Sequence, residues 1–187
     1  MECKNRNNIL SMGVWILGII WTPELYQLRK LARNKQYPVA NQDVKLFPAA
    51  REMIMKMKQD DMFANTKFAV ASRTNSVDWA HDLLNQFELR EWLDFIEIFP
   101  GDKKEHFHNL KRNSAIDFDQ MLFFDDARDG KYGNCEPVSS LGVLSVHVPN
   151  GIYEQQIWMN ALAKYKDWSV QKAPGTIVEW DGSVTTK

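Results

Sequence analysis

The sequence predicts an α/β protein built on a mainly parallel, doubly wound sheet of five strands. Short apolar runs alternate along the chain with amphipathic segments of helical period, which is the pattern of βαβ units. Residues 121–124 are apolar at every position, as expected of a strand that is buried on both faces of a parallel sheet. With 187 residues, of which 44% are hydrophobic, the chain is large enough to bury one such core.

The first predicted element is the apolar stretch of residues 9–21, ILSMGVWILGIIW. It is shorter than the roughly 20 residues that a membrane-spanning helix needs. A signal-peptide core can be this short, but no cleavage site of the A-x-A type follows. We therefore favour a central buried strand, rich in Val, Ile and Trp, over a signal peptide or a membrane anchor.

Four more strands and the helices between them complete the predicted domain. Thr22 and Pro23 suit the N-cap and first position of a helix, and Pro48 opens a second, amphipathic helix. The further strands are predicted at residues 67–71, 95–99, 121–124 and 144–148, and the further helices from residue 76, at 104–112 and at 153–166. We expect a variable segment at residues 1–12, one domain at 13–168, and a mobile tail rich in Gly, Ser, Thr and Lys at 169–187.

Polar side chains follow the second, third and fourth predicted strands, where each strand ends. They are Ser72, Lys103 and the pair Asp125 and Asp126. The carboxyl ends of parallel strands meet at one edge, and open α/β sheets bind their ligands there. A hydroxyl, an ammonium and two carboxylates suit a phosphate monoester bound with Mg²⁺, because this ion prefers hard oxygen ligands. Taken singly, each residue also fits an ordinary helix cap or a solvated turn.

The same segments resemble a known family. The similarity is to the magnesium-dependent phosphatase family of the haloacid dehalogenase superfamily, and it covers residues 21–164. It is carried by VASRT at 70–74, FPGDK at 99–103 with His-Phe three residues on, FFDD at 123–126, and LGVLSVHVPNG at 141–151.

The resemblance implies a three-layer, Rossmann-like core with a minimal cap. It also implies Mg²⁺-dependent hydrolysis of phosphate esters, on tyrosine residues of proteins or on sugar phosphates, through an aspartyl-phosphate intermediate. By position it implies that Ser72 binds phosphate, that Arg73 and Thr74 line the substrate side, that Lys103 is the motif lysine, that Asp125 binds Mg²⁺, and that Asp126 supports the metal shell.

The first motif of that family, D-x-D-G-x-x-W, is incomplete here. Counted back from Trp21, Gly18 matches, but Trp15 stands at the position of the nucleophile and Leu17 at that of the acid/base. An indole is only a hydrogen-bond donor and cannot replace a carboxylate nucleophile. No nearby carboxylate is expected to replace it either, because Glu24 lies beyond the predicted strand. We therefore expect impaired hydrolysis and weakened Mg²⁺ binding.

Two explanations for the missing aspartates stay open. The chain is either a catalytically inactive relative that keeps a phosphate- or partner-binding pocket, or an ordinary phosphatase domain whose first residues come from an alternative or mispredicted exon. The resemblance stops abruptly upstream of Trp21 and is good downstream, which favours the second explanation.

Composition narrows the expected partners and location. A formal net charge of −1 gives no reason to expect nucleic acid or an anionic membrane surface as a partner. Cys3 and Cys135 have no metal-ligand spacing, so a reducing, cytoplasmic compartment is the simpler expectation. The expected ligand is a phosphorylated small molecule or a phosphoprotein, bound by a monomer.

Overall fold

The computed structural model describes residues 10–15, 17–31 and 36–186, and of Trp15 and Leu31 it describes the backbone only. Within that part of the chain, nine strands form two sheets. Their bounds are β1 Met12–Trp15, β2 Trp21–Thr22, β3 Lys45–Leu46, β4 Lys67–Ser72, β5 Phe95–Ile98, β6 Met121–Asp125, β7 Leu144–His147, β8 Thr176–Glu179 and β9 Val184–Thr186. The large sheet has the order β5-β4-β1-β6-β7-β8-β9, and all its pairs are parallel except β8 with β9.

Seven α-helices connect the strands in the described residues. They are α1 Leu17–Ile20, α2 Leu25–Leu31, α3 Ala50–Gln59, α4 Val77–Gln86, α5 Lys103–Ser114, α6 Cys135–Ser139 and α7 Gln155–Gln171. The start of α5 is set by Asp102, whose side chain accepts a hydrogen bond from the backbone nitrogen of Lys104 at 2.8 Å. In the part of the chain that the structure describes, no helix is both long and apolar enough to cross a membrane.

Helices cover both faces of the sheet, as predicted. Phe123 and Phe124 are neighbours in β6, so their side chains point to opposite faces. The ring of Phe123 packs edge-on against Phe107 of α5 with centroids 4.9 Å apart, and that of Phe124 lies 5.3 Å from Trp158 of α7. Both phenylalanines are fully buried. Because β6 lies between two helical layers, apolar side chains occupy both of its faces, which explains the unbroken apolar run in the sequence.

The apolar stretch at the start of the chain forms the centre of the sheet. β1 lies between β4 and β6, and Met12 and Val14 are fully buried. The stretch is not one strand, because residues 17–20 form a single helical turn before Trp21 pairs with Leu46 in the small sheet. Residues 1–9 of the predicted variable segment lie outside the described residues, whereas Met12 already belongs to β1.

The small sheet and α2 form the minimal cap. Thr22 pairs with Lys45 across β2 and β3, so the chain cannot yet be helical there, and α2 begins at Leu25 rather than at the predicted Pro23.

The large sheet has two strands more than the five predicted, because residues 169–186 are not a loose tail. α7 continues to Gln171, and the Trp168 indole nitrogen donates to the Ala173 carbonyl at 3.0 Å, which holds the turn after the helix. The segment Thr176–Glu179 then joins the sheet beside β7, with Ile177 and Val178 buried. A strand of four residues with polar neighbours gives too weak a pattern in the sequence to be predicted.

Candidate active site

A cleft of about 770 Å³ opens at the carboxyl edge of the large sheet. Its floor and one wall come from the segments after β4, β5 and β6, and the other wall comes from α2. The lining side chains include Ser72, Arg73, Thr74, Lys103, Asp126 and Asn134 from the sheet edge and Glu24, Tyr26, Arg29 and Lys30 from the cap. The cleft is large enough for a small organic ligand, and α2 and the sheet edge place several cationic groups around it.

The segment after β4 suits a phosphoryl group. Ser72 ends β4, and the backbone nitrogen of Ser76 donates to the Thr74 hydroxyl at 3.0 Å, which folds residues 72–76 into a tight turn. α4 begins directly after this turn at Val77. The first backbone N–H groups of a helix and its dipole favour an anion, so the turn and helix start together form an anion-binding wall.

Lys103 is the first residue of α5 and is only 2% exposed. Its Nζ donates to the carbonyl oxygen of Ala71 at 2.9 Å and lies 3.8 Å from Oδ2 of Asp125. Burial lowers the pKa of Lys103 to about 8, and Asp125 acts against this shift. The lysine thus joins the end of β4 to the end of β6 from beneath the cleft.

The carboxylate of Asp125 is completely buried at the end of β6. Its Oδ1 accepts hydrogen bonds from the Ala127 backbone nitrogen at 2.8 Å and from Asn134 Nδ2 at 3.0 Å. Its Oδ2 has no hydrogen-bond partner among the residues that the structure describes. Burial raises the pKa of Asp125 to about 7, and Lys103 opposes the shift while Asp126 adds to it. Lys103 gives this oxygen a nearby positive charge at 3.8 Å but no hydrogen bond, and a buried carboxylate oxygen without one is costly unless a cation also binds it.

Asp126 and Glu24 place two more carboxylates in the cleft. Burial raises the pKa of Asp126. Burial also raises the pKa of Glu24, and the nearby Asp126 raises it further. Sequence analysis set Glu24 aside because it follows the strand, but the turn before α2 brings it back over the sheet edge. In the described part of the chain, no three acidic, histidine or cysteine side chains are close enough together to form a metal site by themselves.

Sequence reasoning missed Asn134, which connects two loops of the site. Its Oδ1 accepts from Arg73 Nη1 and its Nδ2 donates to Asp125 Oδ1, both at 3.0 Å. Gly133 makes this possible, since a Cβ there would overlap the backbone of Asp129. The glycine before an asparagine, a few residues after the acidic pair, was the available sequence signal.

His106 has an internal role, although its nearness to Lys103 in the sequence suggested a place at the mouth of the cleft or on the surface. It is fully buried and its ring stacks on Phe99 with centroids 3.8 Å apart. Its Nε2 lies 3.0 Å from the carbonyl oxygens of both Ser72 and Phe99. Burial lowers the pKa of His106. Its Nδ1 lies 2.9 Å from the carbonyl oxygen of Asp102, so the ring ties the end of β4 to the loop before α5.

The two positions that the resemblance assigns to aspartates, Trp15 and Leu17, lie at the same edge. Trp15 is the last residue of β1, and its backbone is in register with Val70 on one side and Phe124 on the other. Leu17 is buried in α1, and the next residue, Gly18, lines the cleft. The indole of Trp15 lies outside the described residues. The structure thus brings Ser72, Arg73, Thr74, Lys103, Asp125 and Asp126 together at one edge of the sheet, where β1 also ends.

Comparison with known proteins identifies the class. The model of the acid phosphatase family matches residues 18–168, and the chain therefore belongs to this family. Solved structures support the fold: a haloacid dehalogenase-like hydrolase from Xanthomonas campestris has a TM-score of 0.64 at 9% identity, covering 87% of this chain and 98% of the other. A haloacid dehalogenase-like hydrolase from Streptococcus pneumoniae has a TM-score of 0.55 at 11% identity, covering 84% and 91%.

Among curated proteins, the chain is similar to human Magnesium-dependent phosphatase 1, with 37% identity over 116 residues. The match covers 62% of this chain and 61% of the human protein, so the chain spans about three-fifths of that relative's length. A haloacid dehalogenase-like hydrolase superfamily protein of Schizosaccharomyces pombe is 33% identical over 66 residues, which cover 30% of this chain and 38% of the yeast protein.

Proposed function

We propose that this chain binds phosphate monoesters together with Mg²⁺ in the cleft, and that it hydrolyses them far more slowly than a relative carrying both aspartates. The observation that carries the proposal is the pair of Lys103 and Asp125, 3.8 Å apart beneath the turn that begins at Ser72. This arrangement provides an ammonium and a carboxylate at the point where a phosphoryl group and its counter-ion meet.

The residues present fit Mg²⁺. The ion is commonly held by one or two carboxylates, with waters and substrate phosphate completing its shell. Asp125 offers Oδ2, which has no hydrogen bond within the described residues, and Asp126 reaches the cleft itself. Bound there, the ion neutralises charge on the phosphoryl oxygens. A carboxylate from residue 15 is missing from this set, which supports weaker binding than in a complete site.

Several side chains of the cleft can each bind a different part of the phosphate ester. Ser72 and Thr74 offer hydroxyls to phosphoryl oxygens, and Arg73 offers guanidinium N–H groups beyond the one that Asn134 accepts. Lys103 balances the charge of the carboxylates and the phosphate. On the cap side, Arg29 and Lys30 attract an anionic substrate to the mouth of the cleft.

The same geometry argues against efficient hydrolysis. The resemblance assigns the nucleophile to the end of β1, and the residue there is Trp15, which is not a carboxylate nucleophile. An open cleft with a small cap admits either a phosphorylated small molecule or a phosphoprotein, and both remain candidate substrates. An inactive binding module is the second candidate function, and it differs from the first only in whether any turnover remains.

We expect Asp125→Asn to weaken Mg²⁺ binding at least about tenfold, since it removes the charge of a direct ligand. Isothermal titration with MgCl₂ measures this in the full chain, and a second titration measures inorganic phosphate with and without Mg²⁺. Phosphate should bind more tightly in the presence of the ion. The matched control is Asp61→Asn, which removes the same charge from an exposed acid remote from the cleft.

Two results contradict the proposal. If Asp125→Asn and Asp61→Asn bind Mg²⁺ with equal affinity, the ion binds elsewhere than at Asp125. If phosphate binds with the same affinity with and without Mg²⁺, the two ligands do not share one site. Turnover of p-nitrophenyl phosphate by the unmodified chain then decides between the two candidate functions. Slow, Mg²⁺-dependent turnover that Asp125→Asn abolishes supports an impaired phosphatase, and its absence supports the binding module.

A further inference from the structure

The last two strands of the sheet contact the acidic loop of the cleft through one charged network. β8 lies beside β7, and β7 beside β6, so that Asp125, His147 and Glu179 are aligned across three neighbouring strands. The side chain of Glu179 therefore reaches the residues that follow Asp125. The strands β8 and β9 lie after residue 168, where the match to the family model ends.

Glu179 holds two basic side chains of this edge, His147 and Arg128. Its Oε2 lies 2.7 Å from His147 Nδ1, and its Oε1 accepts from Arg128 Nε at 2.8 Å. The carboxylate is about one-fifth exposed. Each oxygen of the Glu179 carboxylate thus contacts one of these two side chains.

His147 connects Glu179 to the backbone of the acidic loop. Its Nε2 lies 3.2 Å from the carbonyl oxygen of Asp126, while Nδ1 faces Glu179. The imidazole of His147 thus bridges the carboxylate of Glu179 and the peptide group directly after Asp125 and Asp126.

Arg128 ties the same loop to both strands. Its Nη2 donates to the hydroxyl of Thr185 in β9 at 2.8 Å, and its Nη1 pairs with Asp129 at 2.6 Å. Together with its bond to Glu179, the guanidinium holds the loop from Ala127 to Asp129 against the hairpin. Two independent connections, one through His147 and one through Arg128, therefore converge on the carboxylate of Glu179.

We propose that the β8–β9 hairpin positions the acidic loop for its cation, with Glu179 as the positioning residue that acts through His147 and Arg128. The inference rests on the proposed function in so far as the cation is Mg²⁺. Groups that orient metal ligands from outside the coordination shell commonly change metal affinity by about 10- to 100-fold. Glu179 does not touch the ion or the substrate, so it is not a catalytic residue.

The test is the variant Glu179→Gln, studied by titration with MgCl₂ and by hydrogen exchange of the backbone amides of residues 126–129. We expect about tenfold weaker Mg²⁺ binding and faster exchange in this loop. Asp181→Asn is the matched control, because it removes one negative charge from the exposed turn of the same hairpin, where Asp181 accepts only from Ser183. Thr185→Val removes the bond to Arg128 and the longer, 3.4 Å bond from the Thr185 hydroxyl to the carbonyl oxygen of Ile177. Because it leaves Glu179 in place, it should give a smaller effect of the same sign.

The outcomes separate this proposal from the proposed function. If Glu179→Gln and Asp181→Asn bind Mg²⁺ equally while Asp125→Asn loses it, the positioning role is wrong and the metal site stands. If the unmodified chain binds no Mg²⁺, the proposed metal site is wrong, and hydrogen exchange alone tests the positioning role of Glu179. Faster exchange of residues 126–129 in Glu179→Gln supports that role, and unchanged exchange overturns it. If Glu179→Gln fails to fold, the same comparisons are made with Thr185→Val.

Discussion

The double variant Trp15→Asp/Leu17→Asp is expected to turn over p-nitrophenyl phosphate in a Mg²⁺-dependent manner, at roughly 10³ times the rate of the unmodified chain or more. The substitutions supply the two carboxylates that the resemblance assigns to a nucleophile and an acid/base. Loss of a nucleophile commonly costs several powers of ten in rate, so its return into an intact pocket should recover a similar factor.

The register of β1 explains why the pocket should accept the change. Residue 15 ends the central strand between Val70 and Phe124, and Asp125 follows Phe124 directly. A carboxylate at position 15 would therefore start from the strand end beside Asp125, the acid proposed to bind Mg²⁺. Position 17 is buried and is followed by Gly18 in the wall of the cleft. An aspartate there costs stability because its carboxylate loses water, so the melting temperature should fall in the absence of Mg²⁺.

Two controls isolate the nucleophile. Trp15→Asn/Leu17→Asp has the same shape as the double variant but no carboxylate at position 15, and it should remain inactive. Trp15→Asp/Leu17→Asn keeps the nucleophile and should be slower than the full double variant. If Trp15→Asn/Leu17→Asp is as active as Trp15→Asp/Leu17→Asp, at matched thermal stability and Mg²⁺ binding, the assignment of position 15 to the nucleophile is wrong.

The sequence predicted those parts of the site that lie directly after a strand. Ser72, Lys103 and the Asp125–Asp126 pair each follow an apolar run, and the parallel arrangement of such runs brings their ends to one edge. The fold class followed from the same alternation, because the buried strands are short and apolar and the helices have a clear period. Local pattern and tertiary structure agree in these elements.

The site residues that the sequence did not predict depend on contacts made where the chain reverses direction. Glu24 reaches the cleft because β2 pairs with β3 and redirects the chain before α2, and Asn134 reaches Asp125 because Gly133 permits a close approach to Asp129. Glu179 reaches the acidic loop only because β8 joins the sheet in register with His147. Such contacts between distant segments leave no period in the sequence, and a four-residue strand in polar surroundings gives too little signal.

The other large expected effect concerns the buried ion pair. Lys103→Met should lower the free energy of unfolding by about 1–2 kcal/mol more at pH 8 than at pH 5, because at pH 8 it leaves the carboxylate of Asp125 buried without its counter-ion. Urea denaturation in Mg²⁺-free buffer at the two pH values measures the difference.

The direction of the pH dependence follows from both partners. In the folded chain the pKa of Asp125 is raised from 3.8 to about 7, so the stability it contributes is present below pH 3.8 and is lost as the pH rises through 7. Lys103 opposes that rise, and its removal moves the pKa of Asp125 further up and extends the loss to higher pH. The pKa of Lys103 is lowered from 10.5 to about 8, so the charged lysine itself destabilises the unmodified chain below pH 8, and methionine removes that cost. Of the two pH values, the free energy of unfolding of Lys103→Met should therefore fall further below that of the unmodified chain at pH 8 than at pH 5.

Two comparisons make the result specific to the pair. Lys104→Met changes the neighbouring, partly exposed lysine of α5 and should alter stability equally at both pH values. Lys103→Met/Asp125→Leu removes both charges and should recover most of the loss at pH 8, since two apolar side chains can replace a buried ion pair at little or no cost. A loss in Lys103→Met that is independent of pH, or larger at pH 5 than at pH 8, means that the lysine acts through packing alone. In that case its closeness to Asp125 does not keep the carboxylate charged for a cation.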